Sequence, residues 1–175
     1  MAAAKRKVQT EPQVKAGVGV IVCKGLKVLA GERCGSHGAG RKAFPGGHLE
    51  ANDTKTPHAL GGLGVCAERE VLEETGIICR AFSPDHVRSD LFTTFDILSD
   101  DGQKVYVTPY IIAEYVHGGI ELPDGSIKPL EPHKCVRWDW MSLDEVAKLI
   151  YSPEDKIWIP VPQVLYYLKK HWGLL

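Results

Sequence analysis

Three glutamates, Glu70, Glu73 and Glu74, stand at spacings i, i+3 and i+4. On a helix that spacing puts all three carboxylates on one face, where they repel one another until something neutralises them. Two chemistries fit. The plain one is a solvated acidic face, helped by an Arg69 to Glu73 ion pair at i, i+4. The other is a seat for a hard divalent cation, since Mg²⁺ prefers oxygen donors, keeps several waters and is usually shared with substrate phosphates. Gly46-Gly47 upstream favours the second. Without side chains there, a backbone carbonyl and a polyphosphate can come close to the helix. Metal ions in such a site neutralise diphosphate oxygens and orient a water while a carboxylate takes its proton, so no covalent nucleophile is required.

Other residues of chemical interest are weaker. Arg33 and His37 lie in a Gly-rich, basic stretch over residues 31–47 that suits a loop above a site, where they could touch phosphate or base. Cys34 with His37, and His133 with Cys135, have the residue types of zinc ligands without the paired spacing of a four-ligand site. Asp100 and Asp101 before Gly102 read as turn formers, with an extra metal ligand or base as the alternative. Trp138 and Trp140 alternate on a strand and share one face, which favours core packing over stacking on a nucleobase.

The elements that must carry these residues are legible in outline. Residues 14–23 alternate small and β-branched types and turn at Lys24-Gly25 into 27–30, a hairpin. A helix is predicted over 65–75, built of good helix formers and stopped by Gly76. Strands follow at 91–97, 104–115 and 136–141. Ser142 is placed to cap a helix over 143–150, with Glu145 as its capping-box partner, and 162–171 reads as a terminal helix. The whole is an α/β fold, a central mixed β-sheet sandwiched between α-helices rather than a run of βαβ units. Residues 1–13 are expected to be a disordered lead-in, and 14–175 a single domain.

With 175 residues, 44% of them hydrophobic, the chain is the size of one compact domain with a real core. A formal net charge of -1 leaves no positive field to hold a long nucleic acid, though a local site can still bind a small polyanion. Five scattered cysteines, never spaced as C-x-x-C, read as thiols of a reducing compartment. No apolar run is long enough for a membrane span, so the expected location is cytoplasmic, with Lys5-Arg6-Lys7 a nuclear address as the alternative.

Phe44-Pro45-Gly46-Gly47, followed by Arg69-Glu70-Val71-Leu72-Glu73-Glu74-Thr75-Gly76-Ile77, resembles the Nudix box, a glycine and then R-E-U-x-E-E-x-G-U with U aliphatic. The likeness extends to Val18-Gly19-Val20, Gly31-Glu32-Arg33, Ser36 to Gly40, Pro45 to Glu50, Tyr106-Val107-Thr108, Glu131-Pro132 and Trp138-Asp139-Trp140. Together these are similar to the MutT-related nucleotide triphosphate diphosphatases of the MTH2 type. The resemblance implies a Nudix fold and attack by water at phosphorus, giving a nucleoside monophosphate and pyrophosphate. It implies Mg²⁺, with Mn²⁺ as a substitute, bound by Glu70, Glu74 and the Gly46 carbonyl. Glu73 would assist, Arg69 would hold the carboxylates in place, and Arg33, His37, Gly46 and Gly47 would meet a small-molecule nucleotide. The resembling enzymes also suggest a homodimer.

The pattern is broken once. Asp53 stands where the family has an acidic residue, but the stretch from there to Arg69 is about eight residues longer. Residues 57–64 are rich in glycine and are expected to make a protruding loop before the helix. Asp53, Glu50 and Glu68 are the candidates for the displaced carboxylate. Two rival functions stay open: a Nudix enzyme for another diphosphate, such as a nucleotide sugar or an isoprenyl diphosphate to be isomerised, and a non-catalytic module that binds nucleotide or RNA.

Overall fold

A computed structural model describes residues 13–34, 39–82, 93–97 and 104–150. The predicted lead-in up to residue 12, His37, the turn at Asp100-Asp101-Gly102 and the terminal helix over 162–171 lie outside the described residues.

Two long strands, β1 (Gln13–Lys24) and β7 (Lys104–Gly118), run parallel side by side, in register from Gln13 opposite Lys104 to Cys23 opposite Glu114. Antiparallel neighbours extend this pair on both sides. β2 (Lys27–Arg33) returns from β1 through a tight turn in which Gly25 has φ 59°. The short β3 (Lys42–Ala43) and the later β8 (Cys135–Ser142) both pair with β2, and β4 (Gly46–His48) pairs with β1. β5 (Ile77–Ala81) and β6 (Thr93–Ile97) pair with β7. The sheet is therefore mixed, as the sequence implied.

Alternation along β1 sends its side chains to two cores. Val18, Val20 and Val22 join Leu29, Ile111 and Trp138 under helix α1 (Gly61–Thr75), which contributes Cys66, Ala67 and Val71. Ile21 and Cys23 face the other way, to Val28, Phe44, Tyr110 and Ile112, and are covered by helix α2 (Leu143–Ile150) through Leu143 and Val146. A strand buried on both faces reads as a continuous apolar run, which is the pattern of residues 18–23. Each large aliphatic side chain so buried stabilises the fold by about 1.5–3 kcal/mol.

The helix ends follow local chemistry. At the start of α2, the Ser142 N–H donates to Glu145 Oε2 at 2.7 Å and the Glu145 N–H to Ser142 Oγ at 3.2 Å, the expected capping box. At the end of α1, Gly76 takes φ 70° and donates to the Leu72 carbonyl, as its sequence position predicted.

The start of α1 corrects the sequence reading. The helix begins at Gly61 rather than near residue 65, and the inserted segment is not a free loop. Asp53–Lys55 form a short 3-10 turn, and the Leu60 N–H donates to His58 Nδ1 at 3.0 Å. Gly64 makes room for that imidazole: a Cβ there would lie 2.1 Å from His58 Nδ1. Leu60 and Leu63 then pack against the core under α1. Tertiary burial outweighs the poor helix propensity of Gly61, Gly62 and Gly64. Among the described residues, no helix is long and apolar enough to cross a membrane.

Candidate active site

The site forms where β4 passes along one side of α1. Val18 of β1 faces Gly47, and Gly19 faces Gly46. A Cβ on Gly46 would lie 2.1 Å from the Val18 carbonyl oxygen, so that residue must be glycine for β4 to dock. A Cβ on Gly47 would meet the Glu70 carboxylate at 2.2 Å. The missing side chain of Gly47 is thus the space that Glu70 occupies. One turn on, the Gly46 N–H donates to Glu74 Oε2 at 3.2 Å.

Arg69 holds this corner together. Its Nε and Nη2 donate to the two oxygens of Asp53 at 2.9 and 3.0 Å, a bidentate pair. Nη1 donates to Glu70 Oε1 at 2.9 Å and to Glu73 Oε2 at 3.1 Å, and Nη2 also to the His48 carbonyl at 2.9 Å. Asp53 is only 2% exposed and further accepts the Glu50 N–H at 2.8 Å. The Arg69 guanidinium holds its carboxyl below the usual range, against the opposing effect of burial.

Of the three candidates for the displaced carboxylate, Asp53 is joined to the site through Arg69. Glu68 turns away to accept the Ala81 N–H at 2.9 Å and to meet His58 Nε2 at 3.4 Å.

The three box glutamates are not equivalent. Glu70 and Glu74 are 6% and 7% exposed, whereas the Glu73 side chain is 53% exposed. Burial pushes the Glu74 carboxyl up to about 8, and the neighbouring Glu70 charge adds to the rise. Burial also raises Glu70, against the pull of Arg69. Two adjacent carboxylates out of water are costly unless a cation joins them. Among the described residues, no group of three or more His, Cys, Asp and Glu side chains converges on one point suited to a metal ion. The donor set is instead a buried carboxylate pair beside backbone of the glycine turn, which suits a hard cation that keeps part of its water shell.

The structure brings Gly46, Gly47, Arg69, Glu70, Glu73 and Glu74 together. Arg33 ends β2 opposite Cys135 of β8, its N–H bonded to the Arg41 carbonyl at 3.0 Å and its carbonyl to the Gly40 N–H at 2.8 Å. Cys66 lies under Arg69, its Sγ 3.4 Å from the His48 carbonyl, and burial pushes its thiol up to about 12. It is an inert thiol. Trp138 is 3% exposed in the core, and Trp140 stands edge-on to Tyr115 with ring centroids 5.5 Å apart, so both tryptophans pack.

The sequence singled out His133, Cys135 and Glu131-Pro132 in the segment at residues 130–135 but not its contact with the carboxylate helix. The Leu130 N–H donates to the Glu74 carbonyl at 2.9 Å, and Lys134 and Glu131 form an ion pair at 2.6 Å.

The NUDIX domain model matches residues 13–161. Among solved structures of similar fold, a NUDIX hydrolase from Alicyclobacillus acidocaldarius superposes with a TM-score of 0.65 at 15% identity, over 91% of this chain and 92% of that one. A MutT NUDIX hydrolase from Burkholderia pseudomallei gives a TM-score of 0.61 at 20% identity, over 88% and 97% of the two chains. A UDP-X diphosphatase gives 0.55 at 14% identity, over 95% of this chain and 67% of that one. The glycine turn, the carboxylate helix and the domain match agree, and the chain belongs to the NUDIX hydrolase family.

Proposed function

We propose that the protein is a Mg²⁺-dependent diphosphatase of nucleoside triphosphates or related nucleotides, releasing a nucleoside monophosphate and pyrophosphate. One observation supports this above the others: Glu70 and Glu74 are buried together against the glycine turn with burial opposing their charge. A stable solvated face would leave them in water.

In this reading Glu70, Glu74 and the Gly46 carbonyl hold the ion. When bound, the ion supplies neutralisation of diphosphate oxygens, and Mn²⁺ can replace Mg²⁺. Arg69, locked by Asp53, fixes the angle of Glu70 and steadies Glu73. Gly47 keeps the space beside Glu70 open. Arg33 and His37 contact the nucleotide. A water oxygen bonds to phosphorus, the bridging P–O bond breaks toward the departing pyrophosphate, and the water proton passes to a carboxylate of the cluster.

The test is a panel of nucleoside triphosphates, dinucleotides, nucleotide sugars and isoprenyl diphosphates, assayed for pyrophosphate and phosphate with Mg²⁺ or with chelator. Pyrophosphate from triphosphates, dependent on Mg²⁺, is the expected outcome. Turnover of sugar conjugates or dinucleotides alone, or release of phosphate alone, overturns the substrate assignment. Binding without any turnover makes the chain a nucleotide-binding module.

A further inference from the structure

A polyphosphate needs a cation from the protein as well as from the metal, and Arg69 is not free to be that cation. Asp53, Glu70, Glu73 and the His48 carbonyl already take its donors at 2.9–3.1 Å. Lys134 is placed differently. The turn that carries it is tied to the carboxylate helix, because the Leu130 N–H donates to the carbonyl of Glu74 itself at 2.9 Å. It is tied equally to the end of β2, because the Cys34 N–H donates to the Lys134 carbonyl at 3.1 Å.

The Lys134 ammonium is 48% exposed on its side chain, and its charge acts on both Glu70 and Glu74. Its partner is Glu131, with Nζ 2.6 Å from Oε2 in an ion pair that water reaches from both sides, the two side chains being 48% and 28% exposed. A solvent-accessible ion pair is worth little net, so the ammonium can exchange it for a polyphosphate oxygen at small cost.

We propose that Lys134 is a substrate-binding cation of this site, its ammonium leaving Glu131 to bind the polyphosphate that lies on Glu70 and Glu74. This rests on the diphosphatase reading for the identity of the substrate. The ligand chemistry is a di- or triphosphate anion, and Lys134 acts by binding and positioning it.

Wild type, Lys134→Ala and Lys134→Arg are compared by steady-state kinetics on the best triphosphate and by calorimetry with inorganic pyrophosphate and Mg²⁺. Losing one charge-assisted contact weakens binding on the order of ten- to hundredfold. Lys134→Ala should therefore raise KM and the pyrophosphate Kd by that factor, with kcat within about threefold of wild type. Lys134→Arg should recover most of both constants. Unchanged KM and pyrophosphate affinity in Lys134→Ala overturn the proposal. So does a fall in kcat and melting temperature at unchanged KM, which marks the residue as structural. If no nucleotide is turned over, the calorimetric arm still decides on Lys134, and the diphosphatase reading fails separately.

Discussion

At the scale of single residues, Glu70 and Glu74 sit where the fold alone disfavours their charge. Glu74 has its carboxyl raised to about 8 in the folded chain. For an acid raised above its ordinary value, the metal-free fold is most comfortable at low pH and loses stability as pH climbs from about 4.5 towards 8. Glu74→Gln removes that loss. In chelator, the variant should melt above wild type at pH 8 and close to it at pH 4.5. Equal melting temperatures at both pH values would show that Glu74 is not held uncharged by its surroundings. Activity should move the other way. Glu70→Gln and Glu74→Gln should lower kcat by something on the order of a hundredfold or more, and Glu73→Gln by less. Wild-type turnover in the first two would overturn their role as ligands of a catalytic ion.

Asp53 is the opposite case, a carboxyl lowered by Arg69 whose contribution is present above its ordinary range and lost on acidification. Asp53→Ala leaves Arg69, 22% exposed on its side chain, without its bidentate partner. The cost should be about 2–3 kcal/mol at neutral pH, below the full value for a buried pair because Arg69 is partly solvated. A denaturant midpoint matching wild type at pH 7 would count against the anchor.

At the scale of elements, the glycine turn separates two effects that look alike in sequence. Gly46→Ala drives a Cβ into the Val18 backbone oxygen, which cannot move without breaking the pairing of β4 with β1. Gly47→Ala meets only the end of the Glu70 side chain, which can swing aside. The first should lower the melting temperature sharply. The second should keep the fold while weakening Mg²⁺ affinity and turnover. If circular dichroism melts show the reverse order, the packing of β4 on α1 is misread.

The inserted stretch behaves as structure rather than loop, since His58, Leu60 and Leu63 are built into the start of α1. Deleting residues 57–64 should accordingly cost stability, and a deletion that melts like wild type would make the segment dispensable. This element was the least legible in the sequence. Gly61, Gly62 and Gly64 signal breaks locally, and nothing nearby in sequence shows that a histidine ring and two leucines will cover them. The capping box of α2 and the αL stop of α1 were legible because their partners lie within four residues.

At the scale of the whole molecule, the mixed sheet, its two faces and the carboxylate helix were readable from periodicity and the box. The role of Asp53 and the approach of Lys134 were not. Both depend on contacts between segments far apart in sequence, Asp53 with Arg69 and the Leu130 amide with Glu74. Periodicity reports which face of an element is buried, and it carries no information on which distant turn lands beside it.

On the proposed reading, the same long-range assembly would make a cation part of the stability of the fold. Folding brings Glu70 and Glu74 together at an energetic cost, and an ion that binds only the folded chain offsets it by mass action. Mg²⁺ at about a hundred times its Kd should stabilise the fold by about 2.7 kcal/mol. For a domain of this size that corresponds to a rise in melting temperature of roughly 5–10 °C. Ca²⁺, also a hard oxygen-seeking ion, should stabilise in the same way, and Na⁺ at matched ionic strength should not. In Glu70→Gln and Glu74→Gln the Mg²⁺-dependent rise should shrink together with the Mg²⁺ dependence of the rate. A wild-type melt indifferent to Mg²⁺ up to tens of millimolar would show that the buried pair is no cation site in the free protein, leaving substrate as the only carrier of the ion.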